Sequence, residues 1–300
     1  MSRVCHVSRM LGCNIYVSEG RSRELVDKIK ASCKYSNSVA LVNCFQDTRY
    51  NRTGLTLVGT AVRPLAAAAA EVSKTALSLL DLQQHTATHP RIGVVDHISC
   101  NPLGAEAELC SAAEVAQSIG RSLGEGEHAV PVMLYGAAHS AGQTLASIRR
   151  VMNYFKGSST GLYAGAGTLA LPDGLKPDFG PSTLDPRHGI AVVGACPWVV
   201  NYNVLLLTKD MQSASSIAKA LSSRGGGLAC VEAMALQHEE GIEVACNLLD
   251  TDATAPQAVL QCISDQAAWL GIDVGPGYTT NQSPEALCRQ ASEQMATAIH

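Results

Sequence analysis

The sequence predicts an α/β protein made of two tandem β-α-β-β-α-β units, and three observations indicate this fold class. Hydrophobic residues form 46% of the 300-residue chain, which is enough for a sizeable core. Apolar runs of strand length alternate with runs of helical periodicity. The same order of elements then occurs twice, and it is the order of a ferredoxin-like fold. Because ligands commonly bind between such units, we expect a cleft between the two subdomains.

The first unit is expected to contain four strands and two helices. The strands are predicted at 11–17, 38–45, 53–60 and 92–100. The first helix carries Leu25, Val26 and Ile29 on one face, and the second spans 63–82. Three further elements extend the unit: a helix at 106–124, a strand at 130–136 and a helix at 142–155. Residues 156–189, rich in Gly, Pro, Ser and Asp, predict a long irregular segment, which is more often functional or disordered than a simple connector.

The second half of the chain repeats the order of the first. Its strands are predicted at 197–207, 228–236, 241–249 and near 272–275, and its helices at 211–224, 255–271 and 283–299. The repeated order indicates an ancient duplication. The predicted subdomains are therefore 1–197 and 198–300.

Composition and charge exclude several classes of protein. The formal net charge is −4 and there is no long basic block, so neither a nucleic acid nor a membrane surface is expected as the main partner. The first residues lack the apolar core of a signal peptide, and no apolar run is long enough to span a bilayer. The eleven cysteines form no C-x-x-C pair, which favours buried free thiols in a reducing compartment. We therefore expect a cytoplasmic protein.

The stretch QHTATHPRIG, residues 84–93, places two histidines four residues apart. His85 and His89 could share a helix face as zinc ligands do, but no third ligand follows at a suitable spacing, so we expect no metal. Pro90 biases His89 toward an extended conformation at the entrance to the next strand. A histidine there, beside Arg91, suits proton transfer. From composition alone, a structural polar loop remains the alternative.

Two further stretches carry polar residues that suit ligand binding. Arg52 lies where a connection opens a strand, and its guanidinium could pair with a carboxylate or remain solvated. The stretch PDFGPSTLDPRHG, residues 177–189, combines stiff prolines with glycines that allow close backbone approach to a ligand. A linker turn is the alternative for this stretch.

Taken together, these motifs resemble the formiminotransferase (glutamate formimidoyltransferase) family. The match runs from about residue 13 to 275, and it rests on motifs that are specific as a set. In chain order they are CNIYVSEGR, NRTGLTLVG, HTATHPRIGVVD, LYGAA, KPDFGPS and the asparagine pair of VNYNVLL.

The resemblance implies two α/β subdomains and transfer of a formimino group from N-formimino-glutamate to N5 of tetrahydrofolate. It implies that His89 is the catalytic residue and that ten residues bind folate: Gly180, Pro181, Ser182, Thr183, Leu184, Asp185, Pro186, Arg187, His188 and Gly189. From their charge, Arg52 and Arg91 are expected to bind the carboxylates of the substrate. The expected partners are small molecules, with a homodimer left open. No cyclodeaminase domain is expected, because the chain ends soon after the transferase region.

Three departures from the family pattern support an alternative function. Residues 15–17 replace Pro-Asn-Phe, Ala87-Thr88 replaces Gly-Glu before the catalytic histidine, and Ala137 replaces an acidic residue. A carboxylate near a histidine raises its pKa and orients it, so without one His89 is expected to be a poorer base. The alternative is a folate-binding protein that has lost transferase activity and serves as a carrier, sensor or interaction partner.

Overall fold

The contacts within a computed structural model divide the chain into two units. Unit 1 comprises Met1–Pro197 and Pro284–His300, and unit 2 comprises Trp198–Ser283. The structure describes residues 7–33, 37–154, 163–164, 171–172, 174–238 and 240–297. The predicted subdomain boundaries and the cleft between the subdomains stay predictions.

Unit 1 begins with the predicted β-α-β-β-α-β order. Its first elements are β1 (Leu11–Val17), α1 (Arg23–Ala31), β2 (Val39–Asp47), β3 (Arg52–Gly59), α2 (Val62–Leu79), β4 (Thr86–Ala87) and β5 (Val95–Pro102). It continues with α3 (Leu109–Leu123), β6 (Val132–Gly136), α4 (Leu145–Val151), β7 (Tyr163–Ala164) and β8 (Ala191–Ala195). The main sheet has the order β2-β3-β1-β5-β8-β6. Within this order β2, β3, β1 and β5 are antiparallel neighbours, which is the ferredoxin-like arrangement. β8 and then β6 extend the sheet beyond β5 as parallel strands.

The apolar core of unit 1 lies on one face of this sheet, under α2 and α3. In β1 the side chains of Leu11, Cys13, Ile15 and Val17 are buried and point to this face, with the alternation expected of a strand. The alanine-rich surface of α2 packs against both α3 and β1. Small side chains allow the close approach, and the core therefore consists almost entirely of aliphatic residues.

The opposite face of the sheet carries the polar residues of unit 1. Asn14 and Thr56 are hydrogen-bonded side chain to side chain on this face, and Ser99 and Asn101 form a second such pair. At the end formed by β8 and β6, α4 covers the same face through an apolar cluster that includes Ile148. A helix on this face can therefore present polar side chains to the polar half of the sheet.

Two predictions about elements of unit 1 were wrong in detail. No element was predicted at 190–196, yet Ala191–Ala195 form the central parallel strand β8. This strand is buried on both faces, so it shows no alternation to reveal it. The helix predicted at 142–155 is restricted to Leu145–Val151, because Thr144 caps its start and Asn153 has a left-handed backbone.

Unit 2 is a second ferredoxin-like unit, as the repeated order predicts. Its elements are β9 (Val200–Leu206), α5 (Met211–Leu221), β10 (Val231–Gln237), β11 (Ile242–Leu248), α6 (Pro256–Trp269) and β12 (Val274–Thr279). The strand order is β10-β11-β9-β12, and each adjacent pair is antiparallel. The last helix, α7 (Pro284–Thr297), was predicted to belong to the second subdomain, but it contacts β2 and β3 of unit 1.

Two further features bear on the sequence predictions. Among the residues that the structure describes, the cysteines are free thiols, and five of them are buried: Cys13, Cys33, Cys100, Cys246 and Cys288. No helix in the described ranges has both the length and the apolar character that a membrane span requires.

Candidate functional site

The turn between β2 and β3 positions the first of the candidate residues. Asn51 has a left-handed backbone, with φ of 45°, which asparagine tolerates better than most residues. Its Oδ1 accepts a hydrogen bond from the backbone N–H of Gly20 at 2.9 Å, and its Nδ2 donates to the carbonyl of Thr86 at 3.3 Å. The turn is thus tied to two other segments, and the residue after it, Arg52, is held at a fixed place.

His85 contributes to this scaffold rather than to chemistry. Its Nε2 lies 2.9 Å from the carbonyl oxygen of Asn51, so Nε2 carries the proton and donates. Burial lowers the pKa of His85, although the bond to the Asn51 carbonyl opposes the shift. His85 is therefore a neutral, buried side chain that fastens the turn.

His89 lies in a different environment, between two arginines. Its Nε2 is 3.3 Å from Nη1 of Arg52, and its Nδ1 is 3.0 Å from the carbonyl oxygen of Pro90. Nη1 of Arg91 is also in contact with the Nδ1 side of the ring. Only 8% of His89 is exposed, so the ring is buried at the entrance to β5.

Arg91 is buried and most of its hydrogen bonds go to the backbone. Nη1 donates to the carbonyl of Pro90 at 2.7 Å, and Nη2 donates to the carbonyl of Tyr50 at 2.9 Å. Burial lowers the pKa of Arg91 to about 10, which leaves the guanidinium charged at neutral pH. The side chain therefore supplies a fixed positive charge beside His89.

Arg52 is held mainly by aromatic rings. Its guanidinium carbon lies 5.7 Å from the ring centre of Tyr16 and 5.4 Å from that of Tyr50, within the range of cation–π attraction. Its Nε is buried and has no hydrogen-bond partner among the described residues. A buried N–H without a partner is costly, so this donor is available to a ligand.

A third arginine reaches the same place from helix α4. Nη2 of Arg149 lies 3.6 Å from Oδ2 of Asp96, and its guanidinium carbon is 4.4 Å from the ring centre of Tyr154. Asp96 sits at a β-bulge, where β5 has an extra residue opposite β1. Bulges redirect side chains. Here the redirected carboxylate also accepts the backbone N–H of Ile92 at 2.7 Å.

These surroundings keep His89 neutral. Burial, then Arg91 and then Arg52 hold the pKa of His89 well below its usual value, and Arg149 acts in the same direction. A neutral imidazole has one donor and one acceptor nitrogen. If Nδ1–H donates to the Pro90 carbonyl, Nε2 can accept from Arg52. A proton on Nε2 would instead point at the guanidinium of Arg52.

An aromatic row adjoins this group on the polar face of the sheet. The rings of Tyr16 and His97 stack with centres 5.6 Å apart and planes 4° apart. Nε2 of His97 is 2.8 Å from the hydroxyl of Tyr135. Burial holds the pKa of His97 well below its usual value, and Arg149 lowers it further. Flat rings at this position can support a planar ligand.

The predicted folate stretch, 180–189, begins and ends at glycines with left-handed backbones. Gly180 has φ of 87° and Gly189 has φ of 71°. The last part of the stretch adjoins the segment after His89, because Gly189 pairs with Gly93 and the carbonyl of His188 accepts the N–H of Val94 at 2.8 Å. Many side chains in between are exposed to solvent, among them Ser182, Thr183, Asp185 and Arg187.

The predicted residues thus fall into two groups. Arg52, His89 and Arg91 are brought together, and only the C-terminal end of 180–189 approaches the segment that follows them. The sequence analysis assigned no role to Arg149. Its helical spacing from Leu145 and Met152, which belong to the cluster under α4, was a signal that it lies beside a buried face.

The described part of the chain contains no cluster of side chains suited to a metal ion. No group of three His, Cys, Asp or Glu side chains is placed there to hold an ion. His85 and His89 turn to different partners, the Asn51 carbonyl and the Arg52 guanidinium, so they do not form a pair of ligands.

Comparison with known proteins gives consistent results. The family described as "Formiminotransferase domain, N-terminal subdomain" matches residues 10–196. A "Formiminotransferase cyclodeaminase-like protein" of Arabidopsis thaliana is 40% identical over 285 residues, which cover 93% of this chain and 95% of that protein. A "Glutamate formimidoyltransferase" of Thermoplasma acidophilum is 28% identical over 88% of this chain and 84% of its own. A "Formimidoyltransferase-cyclodeaminase" of Sus scrofa is 32% identical over 89% of this chain, but over only 49% of its own length.

Proposed function

The chain belongs to the formiminotransferase family, a family of transferases, and from this membership we propose that it transfers a formimino or related one-carbon group from N-formimino-glutamate to tetrahydrofolate. The observation that supports this best is the position of His89, held between Arg52 and Arg91 on the polar face of unit 1. The donor carries two carboxylates, which guanidinium groups bind well. The proposal thus places a proton-transfer group next to an anion site.

The proposed reaction needs one proton to move between two nitrogens. N5 of tetrahydrofolate forms a bond to the formimino carbon, and the bond from that carbon to the glutamate nitrogen breaks. The proton that N5 loses is accepted by Nε2 of His89 and then given to the departing glutamate nitrogen. Such a positioned proton-transfer group typically contributes roughly 10²–10⁴-fold to a rate.

The folate is proposed to lie along residues 180–189. The left-handed glycines at both ends hold the stretch against the protein's own backbone, at Val130 and at Ile92, and the stacked rings of Tyr16 and His97 offer a flat surface for a planar ligand. Ser182 and Thr183 provide exposed hydroxyl groups for the polar edge of a heterocycle. Tetrahydrofolate should raise the melting temperature of the protein by mass action.

The test is a direct assay of transfer. Purified protein is mixed with tetrahydrofolate and N-formimino-glutamate, and the absorbance of 5-formimino-tetrahydrofolate is followed. Omission of either substrate is the control. A protein that binds tetrahydrofolate but forms no product with any formimino or formyl donor would contradict the proposed function.

A second candidate, a folate-binding protein without transferase activity, is favoured by one specific observation. Thr88 stands where the family pattern has Glu, and its Oγ1 is buried with no hydrogen-bond partner among the described residues. No carboxylate therefore reaches His89 from this position to offset the neighbouring cations. A base with so low a pKa is a weak proton acceptor.

A double substitution separates the two candidates. Thr88→Glu together with Ala137→Glu restores the two acidic residues of the family pattern. If the unchanged protein transfers nothing and the double variant does, the chain is a binding protein that has lost the reaction. If the unchanged protein already transfers, the missing carboxylates are not essential and the second candidate is wrong.

A further inference from the structure

Three arginines lie around His89, and two of them, Arg52 and Arg91, are not balanced by a carboxylate of the described residues. Arg149 forms an ion pair with Asp96 at 3.6 Å, whereas Arg52 and Arg91 have no ion pair among the described residues. Within the described ranges the excess formal charge is +2, and it comes from Arg52 and Arg91. Arg91 is 7% exposed, and the side chain of Arg149 is 16% exposed.

Uncompensated charge in so buried a place is unfavourable unless an anion neutralises it. Removing a charge from water costs several kcal/mol after relaxation, by a general order-of-magnitude estimate, and like charges add repulsion. Aromatic faces offset part of this cost, since the rings of Tyr16, Tyr50 and Tyr154 lie against the guanidinium groups of Arg52 and Arg149. They do not remove the charge, so the group favours a ligand with two negative charges.

We propose that Arg149 completes, with Arg52 and Arg91, a pocket for the two carboxylates of the glutamyl donor, and that the bound dianion allows His89 to hold a proton. The inference rests on the proposed function, because it names what binds beside the proposed catalytic residue. It adds a substrate-binding residue that the sequence motifs do not contain. It also adds a coupling: the proton acceptor works only when the donor is present.

The coupling follows from the groups that face His89. Arg52 reaches it from β3, Arg91 from its own segment and Arg149 from α4, while Tyr50 and Tyr154 pack against the ring. The charged members of this set are all cations. Two carboxylates near the three guanidinium groups offset the excess positive charge, and an opposite charge within about 4–6 Å typically moves a pKa by about 1–3 units.

The arrangement has a chemical consequence for the reaction. Without the donor, His89 stays neutral and the pocket binds anions rather than protons. With the donor bound, Nε2 can take the proton from N5 and return it to the glutamate nitrogen. A tetrahydrofolate that binds first is therefore not deprotonated before its partner arrives.

A reduced folate also ends in a glutamyl group, so the same chemistry has two sources. The shared feature is a five-carbon chain with two carboxylates. The donor assignment requires that glutarate, a five-carbon dicarboxylate that cannot donate a formimino group, and tetrahydrofolate bind together. If tetrahydrofolate displaces glutarate while a reduced pteroate without glutamate does not, the pocket holds the folate tail and the donor assignment is overturned.

The experiment follows the ring nitrogens of His89 by NMR in the full chain, in titrations with and without glutarate. We expect saturating glutarate to raise the titration midpoint of His89 by about 1–3 pH units. His85 provides an internal comparison, because its ring donates to the Asn51 carbonyl and burial, more than the charge of Arg91, lowers its pKa, so its midpoint should rise less than that of His89. A midpoint of His89 that glutarate leaves unchanged overturns the coupling. Because glutarate donates nothing, the result does not depend on whether the chain transfers a formimino group.

Neighbouring arginines on α4 give a matched pair of variants. Arg149→Gln should weaken glutarate binding roughly ten- to hundredfold, the usual worth of one charge-assisted hydrogen bond. Arg150→Gln should leave it unchanged, because Arg150 lies on the exposed side of the same helix. Arg149→Lys should recover part of the affinity, since it keeps the charge and loses the planar fork.

Equal affinity in Arg149→Gln and Arg150→Gln overturns the role of Arg149. If Arg149→Gln fails to fold, the comparison of Arg149→Lys with Arg150→Gln and the titration of the unchanged protein decide the question.

Discussion

Replacement of His89 by Gln separates the catalytic role from the structural one. Glutamine is of similar size, and its amide can meet the Pro90 carbonyl and the Arg52 guanidinium, which lie 3.0 Å and 3.3 Å from the two ring nitrogens. It cannot take up a proton. We therefore expect transfer to slow by roughly 10²–10⁴-fold, the contribution of a positioned proton-transfer group.

Stability and folate affinity should respond very differently from the rate. The substituted side chain leaves no large cavity and keeps hydrogen-bond capacity, so the free energy of unfolding should change by about 1 kcal/mol or less. Tetrahydrofolate affinity should also hold, because a proton-transfer contact acts chiefly in the transition state. The binding surface proposed at 180–189 is separate in sequence from the substituted residue.

His85→Ala is the control, and the structure predicts the opposite result for it: a clear loss of stability with a smaller loss of transfer rate. Its ring donates to the buried carbonyl of Asn51 at 2.9 Å, and removal leaves that carbonyl without this partner. The expected cost is about 1–3 kcal/mol of stability. The rate per folded molecule should fall much less than in His89→Gln, because the effect on Arg52 is indirect.

The assay combines transfer kinetics with chemical denaturation of each variant. A measurable rate in the unchanged protein that His89→Gln leaves intact would refute the catalytic role. Equal losses of rate in the two variants, in proportion to their loss of folded protein, would indicate that both histidines serve the scaffold alone.

Three further predictions follow from distances and charges. Gly93→Ala should destabilise the protein by about 1–3 kcal/mol in chemical denaturation, because the added methyl would lie 1.8 Å from the Ile190 carbonyl oxygen, whereas Gly275→Ala meets nothing closer than 3.4 Å and should be mild. Arg52→Gln should raise the pKa of His89 by about one unit or more, measured by NMR titration, because one adjacent cation is lost. The free energy of unfolding should fall as the pH drops below about 6.5, the pKa of histidine in the unfolded chain, and should keep falling until the pH reaches the lower pKa values of the folded chain. The folded pKa values of His89 and His97 are depressed, so the unfolded chain binds protons that the folded chain does not; a denaturation midpoint that stays level down to about pH 5 would contradict this.

The fold of unit 1 could be predicted because its elements have clear periodicity. The predicted strand 11–17 matches β1 residue for residue, since its side chains alternate between the core under α2 and the polar face. The strand β8, Ala191–Ala195, shows no such alternation and follows a long irregular stretch. Its place in the sheet depends on β5 and β6, far away in the chain, and no local pattern reports that.

The candidate site was predictable only where the sequence motifs contain it. Arg52, His89 and Arg91 belong to motifs that the resemblance identified, and the structure brings each arginine within hydrogen-bond distance of the His89 ring. Arg149 belongs to no such motif. Its presence beside Asp96 depends on α4 packing across the polar face, and on a bulge in β5 that turns the carboxylate, both of which are tertiary features.

In the proposed pocket, the charges that weaken His89 as a base are also the charges that bind the donor. Three guanidinium groups around one carboxylate lower the stability of the folded chain, because buried charges lose hydration and like charges repel. The arrangement persists because other interactions fix its parts: the left-handed turn at Asn51 positions Arg52, backbone carbonyls hold Arg91, and Asp96 orients Arg149. An anion that neutralises the group would release this stored repulsion on binding. On the proposal made above, this unfavourable charge balance is therefore a source of affinity for a dicarboxylate and, through His89, a means of making the base dependent on its substrate.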